Sequence, residues 1–224
     1  MKGGCLGCFN CASSGECIYK DGYEEILREH IIPCDAHLYA FKIKNHSMGD
    51  TFKMFDDRQF CNGHRTLSRG KPVSYIVDGN MENEQNVKTL LEARSQVGGQ
   101  FLTGIAWGES FTETEKAEWR KRIDRMTSLL VYALENKYSQ SSNFYGVGGM
   151  KIFRDLIYLM GGMMKADYAF FKKEGLFDFP QKQKGTRSLM RLVGLMMKPR
   201  VMKKLGNRMT EGMLMPYRKV LDKS

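Results

Sequence analysis

Apolar positions along the chain follow two rhythms. From Asp21 to Ile32, the residues Tyr23, Ile26, Leu27 and Ile31 recur at helical spacing, and Pro33 ends the run. Ala36 to Ile43 reads as a strand, followed by the polar loop Lys44–Asp50 and a second helix from Thr51 to about Phe60. Gly70-Lys71-Pro72 opens a strand over Val73–Val77 that stops at Asp78-Gly79-Asn80. Asn83–Val97 has a helical pattern closed by Gly98-Gly99, Phe101–Trp107 reads as a strand, and Gly108-Glu109-Ser110 as a loop. A long helix then starts at Thr112, with Glu115 three residues on as a capping box, and reaches about Lys137. Strands alternating with helices of this length predict βαβ units and a parallel sheet. In such a sheet the loops Lys44–Asp50, Asp78–Met81 and Trp107–Ser110 all follow strands and share one edge. That edge is either a cofactor site or a row of polar turns.

After Phe144 the alternation stops. Gly146-Val147-Gly148-Gly149 reads as a hinge, since its glycines do not follow a strand in the manner of a dinucleotide fingerprint. Lys151–Lys165 and Thr186–Leu205 are predicted helices, separated by a turn around Gly175–Pro180, and Pro199 should break or kink the second. The expected organisation is an α/β domain over residues 1–143, with the cysteine loop at its start, and a helical extension over 144–224.

Charge sharpens that division. The chain of 224 residues carries a net +10, yet Tyr145–Ser224 holds 17 basic and 6 acidic residues and 11 of the 16 methionines. A near-neutral body therefore carries a basic, Met-rich extension, and an electrostatic partner is expected there. Within it Leu189, Leu192, Val193 and Met196 lie at helical spacing, flanked by Arg187, Arg191, Lys198, Arg200, Lys203 and Lys204. The first reading is a solvated basic face over a Met-rich core; docking on an acidic protein and contact with an anionic membrane are the alternatives. Nucleic acid is not expected, because aromatic interleaving and a reading motif are missing. No run is apolar enough to span a bilayer and the N-terminus lacks the apolar segment of a secretory signal, so the expected compartment is the cytoplasm.

The most specific chemistry is in the first seventeen residues, Cys5-x2-Cys8-x2-Cys11-x5-Cys17. Three sulfurs two residues apart, with a fourth close behind and small residues between them, suit a compact [4Fe-4S] cluster. Zinc usually takes two Cys-x2-Cys knuckles a dozen or more residues apart, and free or redox-active thiols are the remaining alternative. Cys34 and Cys61 read as ordinary buried small residues. The four histidines, His30, His37, His46 and His64, have no metal-ligand spacing, and Asp57-Arg58 reads as a turn or salt-bridge element.

Three segments carry a family resemblance. Cys5-Leu6-Gly7-Cys8-Phe9-Asn10-Cys11, with Gly15-Glu16-Cys17 and Asp21, resembles the cysteine segment of iron-sulfur flavoproteins and related NADPH-dependent FMN reductases, which are relatives of flavodoxin. Phe52-Lys53-Met54-Phe55-Asp56-Asp57-Arg58 resembles the helix that family places after its third strand, and Gly70-Lys71-Pro72-Val73 the entry to its fourth. The resemblance implies a flavodoxin-like parallel sheet and FMN beside the cluster. It places His46, Ser47, Met48, Asp78, Gly79, Asn80, Trp107 and Glu109 against the isoalloxazine ring. The family normally starts with a strand, a phosphate loop, a helix and a second strand. This chain starts after them, so the sheet is expected to be N-terminally incomplete and open along Ala36–Ile43, completed by another polypeptide unless the chain is a fragment or an early-truncated reading frame. Lys44-Asn45-His46 also departs from the family's Pro-Val-Tyr-like turn.

The implied function is electron transfer through FMN and the cluster, between a reduced carrier (NAD(P)H or ferredoxin) and an acceptor. The alternatives are a non-catalytic subunit whose flavin site another polypeptide completes, and an FMN-dependent oxidoreductase without a cluster. A homo-oligomer or partner subunit is implied as well.

Overall fold

The computed structural model describes residues 1–109, 112–178, 183–196 and 199–221. Ser110, Phe179, Pro180 and Lys198, which the sequence places in loops or on the basic face, lie outside the described residues, as do the side chains of Arg200, Lys203 and Lys204.

The chain forms two compact units. One takes residues 25–55 and 66–150, the other residues 1–24, 56–65 and 151–224. The cysteine loop thus belongs with the C-terminal helices, where the sequence reading had grouped it with residues 1–143.

The first unit is built on a sheet of β1 (His37–Lys44), β2 (Ser47–Met48), β3 (Pro72–Asp78) and β4 (Phe101–Gly108), in the order β2-β1-β3-β4. β1, β3 and β4 run parallel, in the register Tyr39↔Tyr75↔Ile105 at mid-strand. This is the expected α/β architecture. The polar loop after β1 is a hairpin: Asn45 and His46 sit at φ 49° and 58°, the signature of a type I′ turn, and β2 pairs back onto Ile43 and Lys44. Beyond those two residues, the outer edge of β1 pairs with no strand among the described residues.

One face of the sheet carries the core. Phe41, Val73, Tyr75 and Val77 pack with Met48, Met81, Val87 and Leu91, with Phe52 against Phe41 at 4.7 Å between ring centroids. Val87 and Leu91 come from α4 (Gln85–Val97) and Phe52 from α3 (Asp50–Arg58), so the helical spacing seen in the sequence is the spacing of this contact. On the other face α5 (Glu113–Glu135) crosses β4, and Gly104 leaves room for Met126, which an added Cβ would approach to 3.3 Å. Thr112 caps α5 in the expected reciprocal box with Glu115.

Two expectations are corrected. Gly146–Gly149 is not a hinge but the start of α6 (Phe144–Leu159). Its glycines serve close packing: a Cβ on Gly149 would stand 2.4 Å from Val97, and one on Gly146 3.1 Å from the Gln96 carbonyl. Cys34 is exposed rather than buried, its thiol donating to the His30 carbonyl at 2.9 Å.

The second unit joins α1 (Asn10–Ser14) and a 3-10 turn over Gln59–Asn62 to α7 (Lys165–Lys173), α8 (Lys184–Met196) and α9 (Pro199–Leu221). Pro199 starts a new helix, as the fixed φ of proline at a first helical position favours. Ile157 and Phe171 are fully buried, and Phe171 meets Phe177 at 5.8 Å. The apolar stripe of α8 does not cover a methionine core. Leu189, Leu192 and Met196 are all more than half exposed, and Val193 is only partly buried. No described helix is long and apolar enough to cross a membrane.

Candidate functional site

The cysteine segment folds as a tight loop because its spacer residues turn and bond locally. Gly7 and Phe9 both take positive φ, at 62° and 58°, ahead of α1. Asn10 Nδ2 then donates to Ser14 Oγ at 3.0 Å and to the Glu16 carbonyl at 2.8 Å, drawing Cys17 back toward the first three cysteines. Cys5, Cys8, Cys11 and Cys17 are free thiols and line one small cavity of about 30 Å³. The buried Cys61 and Arg58 are among the other residues that line it.

Arg58 is 1% exposed and braces this loop. It donates to both carboxylate oxygens of Asp21, at 3.0 and 2.9 Å, and to the Gly3 carbonyl at 3.2 Å. Its guanidinium lies 4.5 Å from the ring centre of Tyr19 and 4.9 Å from that of Tyr23. The paired cation holds the Asp21 carboxyl well below the usual carboxylate range. Arg58 Nε is buried and has no hydrogen-bond partner among the described residues. A buried guanidinium beside a group of sulfurs favours negative charge on them.

Burial pushes the Cys11 thiol up to about 12, with the Asp167 carboxylate adding to the effect, and its Sγ donates to the Phe60 carbonyl at 2.9 Å. Burial and the neighbouring Cys8 and Cys17 push Cys5 up as well. Both shifts favour the protonated thiol, so ligation here would require a cation that displaces the protons. Among the described residues no three Cys, His, Asp or Glu side chains converge in metal-holding geometry. The donor set fits an iron-sulfur cluster in number, type and spacing.

Cys5 and Cys11 also line a second cavity, of about 480 Å³. His64 lines it, and its Nδ1 is 2.7 Å from Oδ2 of the fully buried Asp167. The His64 backbone N–H donates to the same oxygen at 3.1 Å, and Arg65 Nε lies 3.5 Å from Oδ1. Gly63 makes room for this carboxylate: its φ of 63° with ψ of −138° is glycine territory, and a Cβ there would lie 2.3 Å from Asp167 Oδ1. Gly63→Ala is expected to cost about 1–3 kcal/mol from the backbone alone. Urea unfolding checks this, and an unchanged midpoint would refute it.

The expected flavin residues lie at the carboxyl ends of the strands, in the other unit, and most already have partners. His46, whose side chain is 87% exposed, contacts Glu84 through Nδ1 at 3.0 Å. Asp78 pairs with Lys42 at 3.0 Å, and Asn80 Oδ1 accepts from the Glu82 N–H. Gly79 N–H donates to the Gly108 carbonyl at 2.9 Å, tying the loops after β3 and β4 together. Arg122 covers Trp107 at 3.7 Å from the ring centre. Met48 is buried in the sheet core, while Ser47 and Glu109 are exposed.

Over 173 residues the chain is 28% identical to an iron-sulfur flavoprotein of Archaeoglobus fulgidus, covering 76% of this chain and 78% of that one. The chain is similar to iron-sulfur flavoproteins. A second such protein, from Clostridioides difficile, is 27% identical over 157 residues, covering 65% of this chain and 68% of the relative. The resemblance read from the sequence is therefore borne out. No protein-family model matches the chain. Among solved structures, the Trp repressor binding protein of Bacillus subtilis aligns with half of this chain and 73% of its own, at 19% identity and a TM-score of 0.37.

Sequence reasoning grouped the four cysteines and read Arg58 as a turn or salt-bridge element, but did not join five other residues to them: Cys61, the Arg58–Asp21 pair and the His64–Asp167 pair. Cys61 carried no motif. Arg58 and Asp21 stand 37 residues apart and His64 and Asp167 stand 103 apart, so no local pattern announces either pair. The one available signal was composition: a buried Arg or Asp is rare unless paired.

Proposed function

We propose that the chain is an iron-sulfur redox protein in which Cys5, Cys8, Cys11 and Cys17 hold a [4Fe-4S] cluster. The observation that carries this reading is that four free thiols from one short segment line the same small cavity as Arg58. When bound, the cluster supplies one-electron transfer and FMN links it to two-electron carriers. The protein's part is structural and electrostatic: Arg58 keeps a fixed positive charge beside the sulfurs, and the loop bonds of Asn10 hold the ligands in order. His46, Ser47, Met48, Asp78, Gly79, Asn80, Trp107 and Glu109 are the positions proposed to meet FMN, with NAD(P)H or ferredoxin as the reduced carrier and the cytoplasm as the compartment. The basic, partly apolar surface of α8 is the proposed contact for an acidic protein or an anionic membrane surface.

A specific observation favours a second reading, in which another polypeptide or a second copy completes the flavin site. Asp78 and Trp107 are already engaged by Lys42 and Arg122, and β1 leaves most of its outer edge unpaired by any described strand. Anaerobic purification with iron, sulfide and FMN measured per chain separates the two. About four irons with one FMN are expected for the first reading. Iron without flavin moves the assignment to the second, and a colourless protein overturns both.

A further inference from the structure

α8 is docked with its apolar stripe facing outward. Close contacts set its inward side: a Cβ on Gly194 would stand 2.1 Å from the Gly162 carbonyl oxygen, an approach only glycine allows. Arg187, on the same side, donates to the hydroxyls of Tyr158 and Tyr168, and its guanidinium lies 4.2 Å from the Tyr158 ring centre. At about 100° per residue, Leu189, Leu192, Leu195 and Met196 fall on the opposite side of the helix. They are 55, 56, 81 and 63% exposed. Lys184 and Arg191, both exposed, run along one border of the stripe.

Chemistry disfavours two covers for this row. A second copy would set like charges against each other, since Lys184–Thr210 holds eight basic and no acidic residues. Protein partners draw much of their binding energy from aromatic anchors, and α8 has no Phe, Trp or Tyr. An aliphatic row with a basic border matches a lipid surface, where apolar chains enter the acyl boundary and cations meet anionic headgroups.

We propose that α8 lies flat on an anionic lipid surface, with Leu189, Leu192, Leu195 and Met196 in the acyl boundary and Lys184 and Arg191 at the headgroups. The proposal rests on the reading of α8 as a contact surface and commits it to lipid; it does not depend on iron or flavin. The helix lies on the surface rather than crossing it, because no described helix is long and apolar enough to span.

The test is flotation of the full chain with vesicles of phosphatidylglycerol and phosphatidylcholine in equal parts, against vesicles of phosphatidylcholine alone. Binding to the first and not to the second is expected. Leu192→Gln with Leu195→Gln should weaken it about tenfold or more, the loss of two leucines from an apolar phase. Both positions are exposed, so the urea midpoint should stay, and Met196→Gln repeats the test with a single exposed side chain. Arg191→Gln should weaken binding about fivefold, the share of one cation near the surface. No binding to the mixed vesicles, or binding that the apolar variants leave unchanged, overturns the proposal. Poly-glutamate, acidic but without an apolar phase, separates it from the broader reading. A chain that binds poly-glutamate and not the vesicles overturns the lipid assignment and leaves α8 a contact for an acidic protein. A chain that binds neither overturns both.

Discussion

Cys11→Ala is expected to leave the purified chain nearly free of iron, against about four atoms per chain in the unaltered protein. Cys11 lies on α1, its thiol bonded to the Phe60 carbonyl, and it borders both cavities of the unit. An alanine there removes one of four ligands from a loop too short to supply another. The nearest substitute is Cys61, buried in the same cavity. Any iron left in Cys11→Ala should therefore disappear in the double variant with Cys61→Ala, whereas Cys34→Ala, an exposed thiol in the other unit, should keep full iron. Iron and sulfide assays decide the matter. Full occupancy in Cys11→Ala would sink the ligand assignment.

Arg58→Met should be the most damaging change outside the cysteines. The guanidinium is buried, paired through two hydrogen bonds with Asp21, and flanked by the rings of Tyr19 and Tyr23. Removing one partner of such a pair leaves the other charge in a poor solvent, and for the arginine this costs about 3–5 kcal/mol. Lysine should not rescue it, because a single ammonium cannot reproduce the fork that spans both carboxylate oxygens. Urea unfolding of the two variants reads this directly as lower midpoints. If Arg58→Met unfolds at the midpoint of the unaltered chain, the pair is a surface ornament and the bracing role fails.

The α/β body was legible because its rules are local. Alternation and helical spacing located β1, β3 and β4, and Thr112 with Glu115 marked the start of α5 within one residue. That the four cysteines share one cavity was legible for the same reason, since their spacing is short. What escaped was set by contacts between distant residues. Glycine's poor helix propensity argued for a hinge at Gly146–Gly149, but close packing on Gln96 and Val97 outweighs it. Asn45-His46 carried a turn signal that read as a polar loop, because a type I′ hairpin shows itself only once β2 pairs with β1. The grouping of the cysteine loop with the C-terminal helices had no sequence mark at all.

That grouping has a consequence in time. Thr210 donates its hydroxyl to the Leu6 carbonyl, a contact that spans 204 residues. During synthesis at roughly 5–20 residues per second, the cysteine segment emerges some 10–40 seconds before the helix that closes over it exists. For a cluster of the proposed kind, loading and oxidation would both have an open window until α9 is made.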